Sequence, residues 1–167
     1  ACLVDAPVAA AVVDGDCRMH GDVLSAISGN VDWLNVELAD VQMKSGPSAA
    51  LYQAYQQYGE QLLDVIGGRF AFFLWDKRRQ TALLACDRLG QMPVYWAKGP
   101  GQTLLFGQTA TAVARMLPGR PAISSQGIYN YLYFHMVPGP GTIFEGINKL
   151  MAGHMLLETG RDALFLA

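Results

Sequence analysis

The residues able to do chemistry are few, and most of them stand apart. Cys86, Asp87 and Arg88 are consecutive in "CDRLGQMPVYW", which brings a thiol, a carboxylate and a guanidinium together at one corner of the chain. That is enough for a nucleophile with charged neighbours. Against it, Cys86 ends an apolar run, where a small buried thiol is the ordinary occupant, and no residue close in sequence would serve it as base. The corner is therefore either an active site or a structural joint beside one. His20, His135 and His154 lie far apart, without a carboxylate or cysteine at ligand spacing, so they read as surface or hydrogen-bonded histidines and no metal is expected. The glycine-rich "GPGTIFEGINK" lacks the Lys followed by Ser or Thr that a phosphate loop needs, and reads as a turn.

The elements that must position these residues are bounded first by composition. A chain of 167 residues fits one domain, 1–167, able to bury about 70% of its unfolded surface. Only 16% of residues are charged while 51% are hydrophobic, so an apolar face is left for a neighbour. The net charge of −2, with Lys77-Arg78-Arg79 as the one short basic run and that in a turn, argues against nucleic acid. No apolar run is long enough to span a membrane, and the start lacks a secretory signal. The odd number of cysteines, Cys2, Cys17 and Cys86, suits a reducing compartment, and the expectation is a soluble cytoplasmic protein.

Along the chain, Ala9–Val13 and Val23–Ile27 read as short strands, separated by turn signals at Asp14-Gly15-Asp16 and His20-Gly21-Asp22. Apolar spacing over Asp32–Met43 suggests a helix that Asn35 and Asp40 weaken. Pro47 opens a second helix, carried by Leu51, Tyr52, Tyr55, Leu62, Leu63 and Ile66, bent near Gly59 and stopped by Gly67-Gly68. Phe70–Trp75 has no polar face and must be a strand covered on both sides. Thr81–Cys86 returns antiparallel after a turn over Asp76–Gln80. Val94–Ala97 and Thr103–Phe106 make another hairpin around "KGPGQ". A short helix follows at Thr109–Met116, then one capped by Ser124 or Ser125 and stopped by "VPGPGT". Met155–Leu157 and Ala163–Leu166 read as a closing hairpin. The sum is an α+β domain with helices on the faces of antiparallel sheet.

The run "YGEQLLDVIGGRFAFFLWDKRRQTALLACDRLGQMPVYW", continued by "LLFGQTATAVARM" and "YLYFHMVPGPGTIFEGINKLMAGHML", resembles the glutaminase domain of the asparagine synthetase family. The similarity covers Tyr58 to Leu157 and rests on Tyr-Gly, Gly-x-Phe-Ala-Phe, Trp-Asp, Asp-Arg-x-Gly and a Pro-x-Tyr strand in the family's order. It implies a class-II glutamine amidotransferase with an N-terminal-nucleophile fold, an αββα sandwich of two antiparallel sheets flanked by helices. In that family an N-terminal Cys attacks the glutamine amide with its own α-amino group as base, and the ammonia passes to an ATP-dependent synthetase domain. An Asn-Gly pair supplies the oxyanion hole, and an Arg and an Asp hold the substrate's charged ends.

Carried onto this sequence, the family's Asn-Gly-Glu falls on Ser28-Gly29-Asn30, so only the glycine is kept. The substrate-binding Asp falls on Pro47, which has no side-chain acceptor, and the next acidic position falls on Ala49. "CLVDAP" resembles the stretch just after the family's glutamine-binding Arg, which would place that Arg and the nucleophile before Ala1. Cys2 is the one alternative nucleophile, but Leu3-Val4 replace the expected Gly-Ile. At the corner, Cys86 replaces an Arg while Asp87, Arg88, Gly90 and Pro93 remain; there Arg88 is expected to pair with a carboxylate while Gly90 and Pro93 set the turn.

The resemblance thus implies a degenerate amidotransferase domain with a vestigial pocket at Ser28, Gly29, Asn30 and Pro47 and no cofactor of its own. Residues from about 121 to 167 would form a closing segment leading toward a synthetase domain, the expected partner, where ATP and magnesium would bind. An active enzyme whose catalytic N-terminus lies outside these residues is one alternative. A non-catalytic assembly module, such as a homodimer, is the other.

Overall fold

The computed structural model describes residues 2–3, 9–10, 15–159 and 165–166. In chain order the strands are β1 (Cys2–Leu3), β2 (Ala9–Ala10), β3 (Gly15–His20), β4 (Val23–Trp33), β5 (Ile66–Asp76), β6 (Thr81–Cys86), β7 (Tyr95–Lys98), β8 (Leu104–Gly107), β9 (Ile147–Lys149), β10 (Met155–Thr159) and β11 (Phe165–Leu166). The helices are α1 (Val36–Ser45), α2 (Pro47–Tyr58), α3 (Ala110–Met116) and α4 (Ser125–Phe134). Apart from the small β1–β2 pair, the strands build a five-stranded antiparallel sheet, β10-β6-β5-β4-β3, and a four-stranded sheet, β11-β8-β7-β9, in which only β8 and β11 run parallel.

Period-two alternation divides β5 between two cores. Phe70, Phe72 and Leu74 face a helical layer with Leu38 of α1 and Leu51, Ala54 and Tyr55 of α2. Phe73 and Trp75 face the other way, into the space between the sheets, with Leu24, Leu84, Leu104 and Phe106. There the Phe73 and Phe106 rings lie 4.7 Å apart, each from a different sheet. On the far side of the four-stranded sheet, Ala97, Leu105 and Ile147 pack with Val113 of α3. The expected αββα sandwich is the one observed, and the strand without a polar face is its middle layer.

Several local expectations are corrected. Asp14-Gly15-Asp16 is no turn from Gly15 on, because β3 begins there and pairs with β4 from Gly15 opposite Ser28 to His20 opposite Val23. Residues 11–13 of the expected first strand lie outside the described residues. Asp32 and Trp33 finish β4, and the first helix starts later, at Val36. Asn35 strengthens that helix instead of weakening it, since its side-chain oxygen accepts from the Glu37 N–H at 2.8 Å as N-cap. Helix α2 stops at Gly59, and a 3-10 turn over Gly59–Asp64 carries the remaining apolar residues. Gly67-Gly68 do not end a helix; they lie inside β5, with Gly68 opposite Val31. Among the described residues the expected closing hairpin is not formed: β10 pairs with β6 in one sheet and β11 with β8 in the other, while residues 163–164 of its expected second strand lie outside the described residues.

The inter-sheet contact sets a first expectation. Phe73→Ala, emptying a ring-sized space between the sheets, lowers unfolding stability by about 3–5 kcal/mol in urea titration, whereas Leu132→Ala on the exposed side of α4 changes it by less than about 1 kcal/mol.

Candidate functional site

The charged corner is built around Asp87, fully buried at the exit of β6. Its carboxylate accepts from three backbone N–H groups: Leu89 at 3.0 Å and Gln91 at 3.1 Å on Oδ1, and Met92 at 2.9 Å on Oδ2. The Asp87 carbonyl accepts from Gly90 at 3.0 Å and from Gly153 at 2.8 Å, while its own N–H donates to Phe70 at 2.9 Å. Burial alone would raise the acid's pKa, but the Met92, Gln91 and Leu89 N–H groups outweigh it and hold the carboxyl below its ordinary value. Arg88, in contrast, is exposed, and among the described residues it forms no ion pair. The expected Arg88 pairing is corrected: the corner is held by the aspartate and the backbone. Pro93 follows the loop and leads into β7.

Cys86 is not poised as a nucleophile. It is buried, its thiol donates to the Met151 carbonyl at 3.3 Å, and burial together with the neighbouring Asp87 pushes its pKa up, against the pull of Gly153 and His154 backbone groups. A raised thiol pKa keeps the inert protonated form at neutral pH.

The four residues that the resemblance assigns to the glutamine pocket lie in the middle of β4 and at the head of α2. Ser28 is buried, opposite Gly15 and Ala71, whereas Gly29 and Asn30 are exposed at the end of the core, opposite Phe70 and Arg69. Gly29 has φ +104°, and a Cβ there would collide with the Arg69 carbonyl oxygen; across the pair, a Cβ on Gly68 would collide with the Asn30 carbonyl. The two glycines let β4 and β5 approach where neither could carry a side chain. Pro47 stands at the first position of α2.

Beside it is a carboxylate that sequence reasoning missed. Asp16 on β3 accepts from the Ser48 hydroxyl at 2.9 Å and the Ser48 N–H at 3.2 Å through Oδ2, and from Arg18 at 3.0 Å through Oδ1. It thereby caps α2 from another strand, since Gly46 offers that helix no side-chain cap. Burial opposes ionisation, but Ser48 and Arg18 prevail and hold Asp16 below the usual carboxylate range. The only local signal was a helix opening on Gly-Pro-Ser with no capping side chain.

A second polar feature lies at the opposite turns of the sheet. His20, Asp22, Tyr52, Gln56, Arg78 and Arg79 are among the residues lining an open cleft of about 590 Å³. The His20 ring stacks on Tyr52 at 4.8 Å, and burial, with Arg18 nearby, lowers its pKa. Asp76 ties the basic turn down, accepting from the Arg78 and Arg79 N–H groups at 2.9 and 3.0 Å and from the Tyr55 hydroxyl at 3.0 Å. The histidines are not brought together, and among the described residues no cluster of His, Cys, Asp and Glu would hold a metal ion. In the glycine-rich loop the Thr142 hydroxyl is spent internally, accepting from the Phe144 N–H at 3.1 Å and lying 2.9 Å from the Ile147 carbonyl. Cys2 lies in β1 opposite Ala10, and a role for its thiol falls outside what the structure describes. No helix among the described residues is long and apolar enough to cross a membrane.

Comparison with known proteins gives these positions a context. Residues 34–164 match a family described as a glutamine amidotransferase domain, a span that includes Pro47 and the Asp87 corner but not Ser28–Asn30. The glutamine-hydrolyzing asparagine synthetase 3 of Bacillus subtilis is 29% identical over 114 residues, 68% of this chain and 18% of that protein. A putative asparagine synthetase of Mycobacterium bovis is 26% identical over 124 residues, 73% of this chain and 19% of its own length. An asparagine synthetase of Zea mays is 25% identical over 62% of this chain. This chain therefore aligns with about a fifth of the length of such relatives.

Two measurements check the site's structural roles. Asp87→Ala orphans three backbone N–H groups at about 1–3 kcal/mol each, so urea unfolding at pH 7 shows a loss of about 3 kcal/mol or more. Because the folded pKa of Asp87 is lowered, its stabilising contribution is complete above the unfolded value of about 4 and fades as pH falls through the lower folded value; the variant's stability therefore depends less on pH in that acid range. Gly29→Ala, with a positive φ and a backbone collision, costs about 2–5 kcal/mol by the same titration.

Proposed function

The chain belongs to the glutamine amidotransferase domain family, and from that premise we propose that it keeps the family's scaffold while having lost the site that hydrolyses glutamine, in the service of an asparagine-synthetase-like amide ligase. The observation that carries this reading is the head of α2. A glutamine held for hydrolysis needs an anionic acceptor for its ammonium group. At the position where the resemblance puts that acceptor stands Pro47, and the carboxylate nearby, Asp16, is already committed to Ser48 and Arg18. The oxyanion site would also be short of its Asn, with Ser28 there instead. Gly29 is retained for a steric reason that applies with or without chemistry.

The ligase half of the proposal rests on the relatives, which are asparagine synthetases of which this chain matches about a fifth. ATP and magnesium would bind in a separate synthetase domain, and nitrogen would come from another donor or from free ammonia. The family match over residues 34–164 favours a second reading, an active amidotransferase with its nucleophile elsewhere in the polypeptide.

A glutaminase assay separates the two. With the natural full-length polypeptide at millimolar glutamine, glutamate release stays at the buffer rate, while ATP-dependent amide formation proceeds with ammonium. Glutamate release above that rate, abolished by Cys2→Ala or by substitution of a cysteine at the natural N-terminus, would establish the active reading.

A further inference from the structure

Three elements line the cleft beside the basic turn. The β3–β4 turn contributes His20 and Asp22, the β5–β6 turn contributes Arg78 and Arg79, and α2 contributes Tyr52 and Gln56, one helical turn apart. The two turns are tied together, since the Lys77 N–H donates to the Asp22 carbonyl at 2.9 Å. The cleft stands where Val23 pairs with Asp76, six residues along β4 from Gly29, or about 20 Å at the rise of a strand. It is therefore separate from the positions that the resemblance assigns to glutamine.

Its polar groups are unequally committed. Asp76 is spent: its oxygens accept from the Arg78 and Arg79 N–H groups and from the Tyr55 hydroxyl, and its carboxylate lies 3.7 Å from the Arg79 Nε. Arg79 is held in place by that carboxylate and by the Tyr55 ring, with its guanidinium carbon 5.6 Å from the ring centre. In contrast, the side chains of Asp22 and Arg78, the Tyr52 hydroxyl and the Gln56 amide have no hydrogen-bond or ion-pair partner among the described residues. Asp22 and Arg78 share the cleft without pairing with each other. The His20 Nε2 is buried and unpartnered, alone in this among the side-chain nitrogens and oxygens of the described residues. Such an atom carries its desolvation cost until a partner reaches it. Burial, with Arg18 nearby, keeps the ring neutral at pH 7, so each ring nitrogen is either a donor or an acceptor.

These groups match a ligand with two unlike ends. Two guanidinium groups on consecutive residues suit a phosphate dianion, which such groups hold through parallel N–H bonds, and Lys77 beside them adds to the same field. Asp22 suits the other end, because a carboxylate repels phosphate but accepts from a hydroxyl. A hydroxyl both donates and accepts, so it also suits Tyr52, Gln56 and either tautomer of His20. The volume of about 590 Å³ lies in the range of small-molecule sites and exceeds what inorganic phosphate alone would fill.

We propose that this cleft binds a small hydroxylated phosphate monoester, with its phosphate on Arg78 and Arg79 and its hydroxyl groups toward Asp22, Tyr52, Gln56 and His20. Binding there is independent of glutamine hydrolysis and of the ligase reading.

Ribose 5-phosphate is titrated into the isotope-labelled chain in phosphate-free, low-salt buffer, with inorganic phosphate and ribose as separate titrants. Saturable amide shifts appear on residues 20–22 and 77–80, and the ester binds at least about tenfold more tightly than either inorganic phosphate or ribose. Arg78→Ala weakens ester binding at least about tenfold while the spectrum stays dispersed, because that exposed side chain has no partner to lose. Asp22→Asn narrows the preference for the ester over inorganic phosphate. Absence of saturable shifts at about 10 mM ester overturns the inference. Inorganic phosphate binding as tightly as the ester overturns it in favour of an unspecific anion contact, and ribose binding as tightly overturns the phosphate assignment.

Discussion

The Asp87 carboxylate sits where two crossings between the sheets meet. The chain leaves the five-stranded sheet at Cys86 and enters the four-stranded sheet at Tyr95; it leaves that sheet after Lys149 and returns at Met155. Asp87 gathers the first crossing with its side chain and reaches the second through its carbonyl, which accepts from Gly153, while Leu150 donates to Val94 at 2.8 Å to tie the two again. Such a joint works only with a buried acceptor that takes several N–H groups at once, and an ionised carboxylate does so at low cost because each bond is charge-assisted. Asp76 repeats the device on a smaller scale at the opposite turn, with Tyr55 in place of one backbone donor.

The scaffold and the positions that the resemblance assigns to glutamine are separate in the structure. The contacts that hold the sandwich together run through β5, the inter-sheet rings and the Asp87 joint. Asn30 and Pro47 stand at the margin of that core, where a change of side chain leaves the packing intact. Gly29 is different, because the Arg69 carbonyl occupies the place of its missing Cβ. Steric fit alone thus accounts for a glycine at this position, and its presence says little about catalysis.

Much of the fold was legible because its strongest signals are local. Phe70–Trp75 and Thr81–Cys86 could pair only as a buried hairpin, Pro47 could only open a helix, and Thr109 and Ser124 cap α3 and α4 through bonds within four residues. The errors fall where a distant partner decides. Gly67-Gly68 resembles a helix stop until the neighbouring strand's carbonyl is placed against it, and Asp16 resembles a turn residue until Ser48, thirty-two positions away, takes its oxygen. The closing strands were split between sheets because β6 and β8 each offered an open edge, which no nearby residue records. Of the corner, its place was legible, but not which charge holds it, since a backbone-bound aspartate and a paired arginine look alike in sequence.

The central claim, a folded domain without a glutamine site, is tested most directly by titrating the isotope-labelled chain with glutamine and following its amide NMR spectrum, which reports fold and binding in one experiment. The account predicts a dispersed spectrum that does not change up to millimolar glutamine. Saturable shifts clustered on Ser28, Gly29, Asn30 and Ser48 would contradict it and return this chain to the working members of its family.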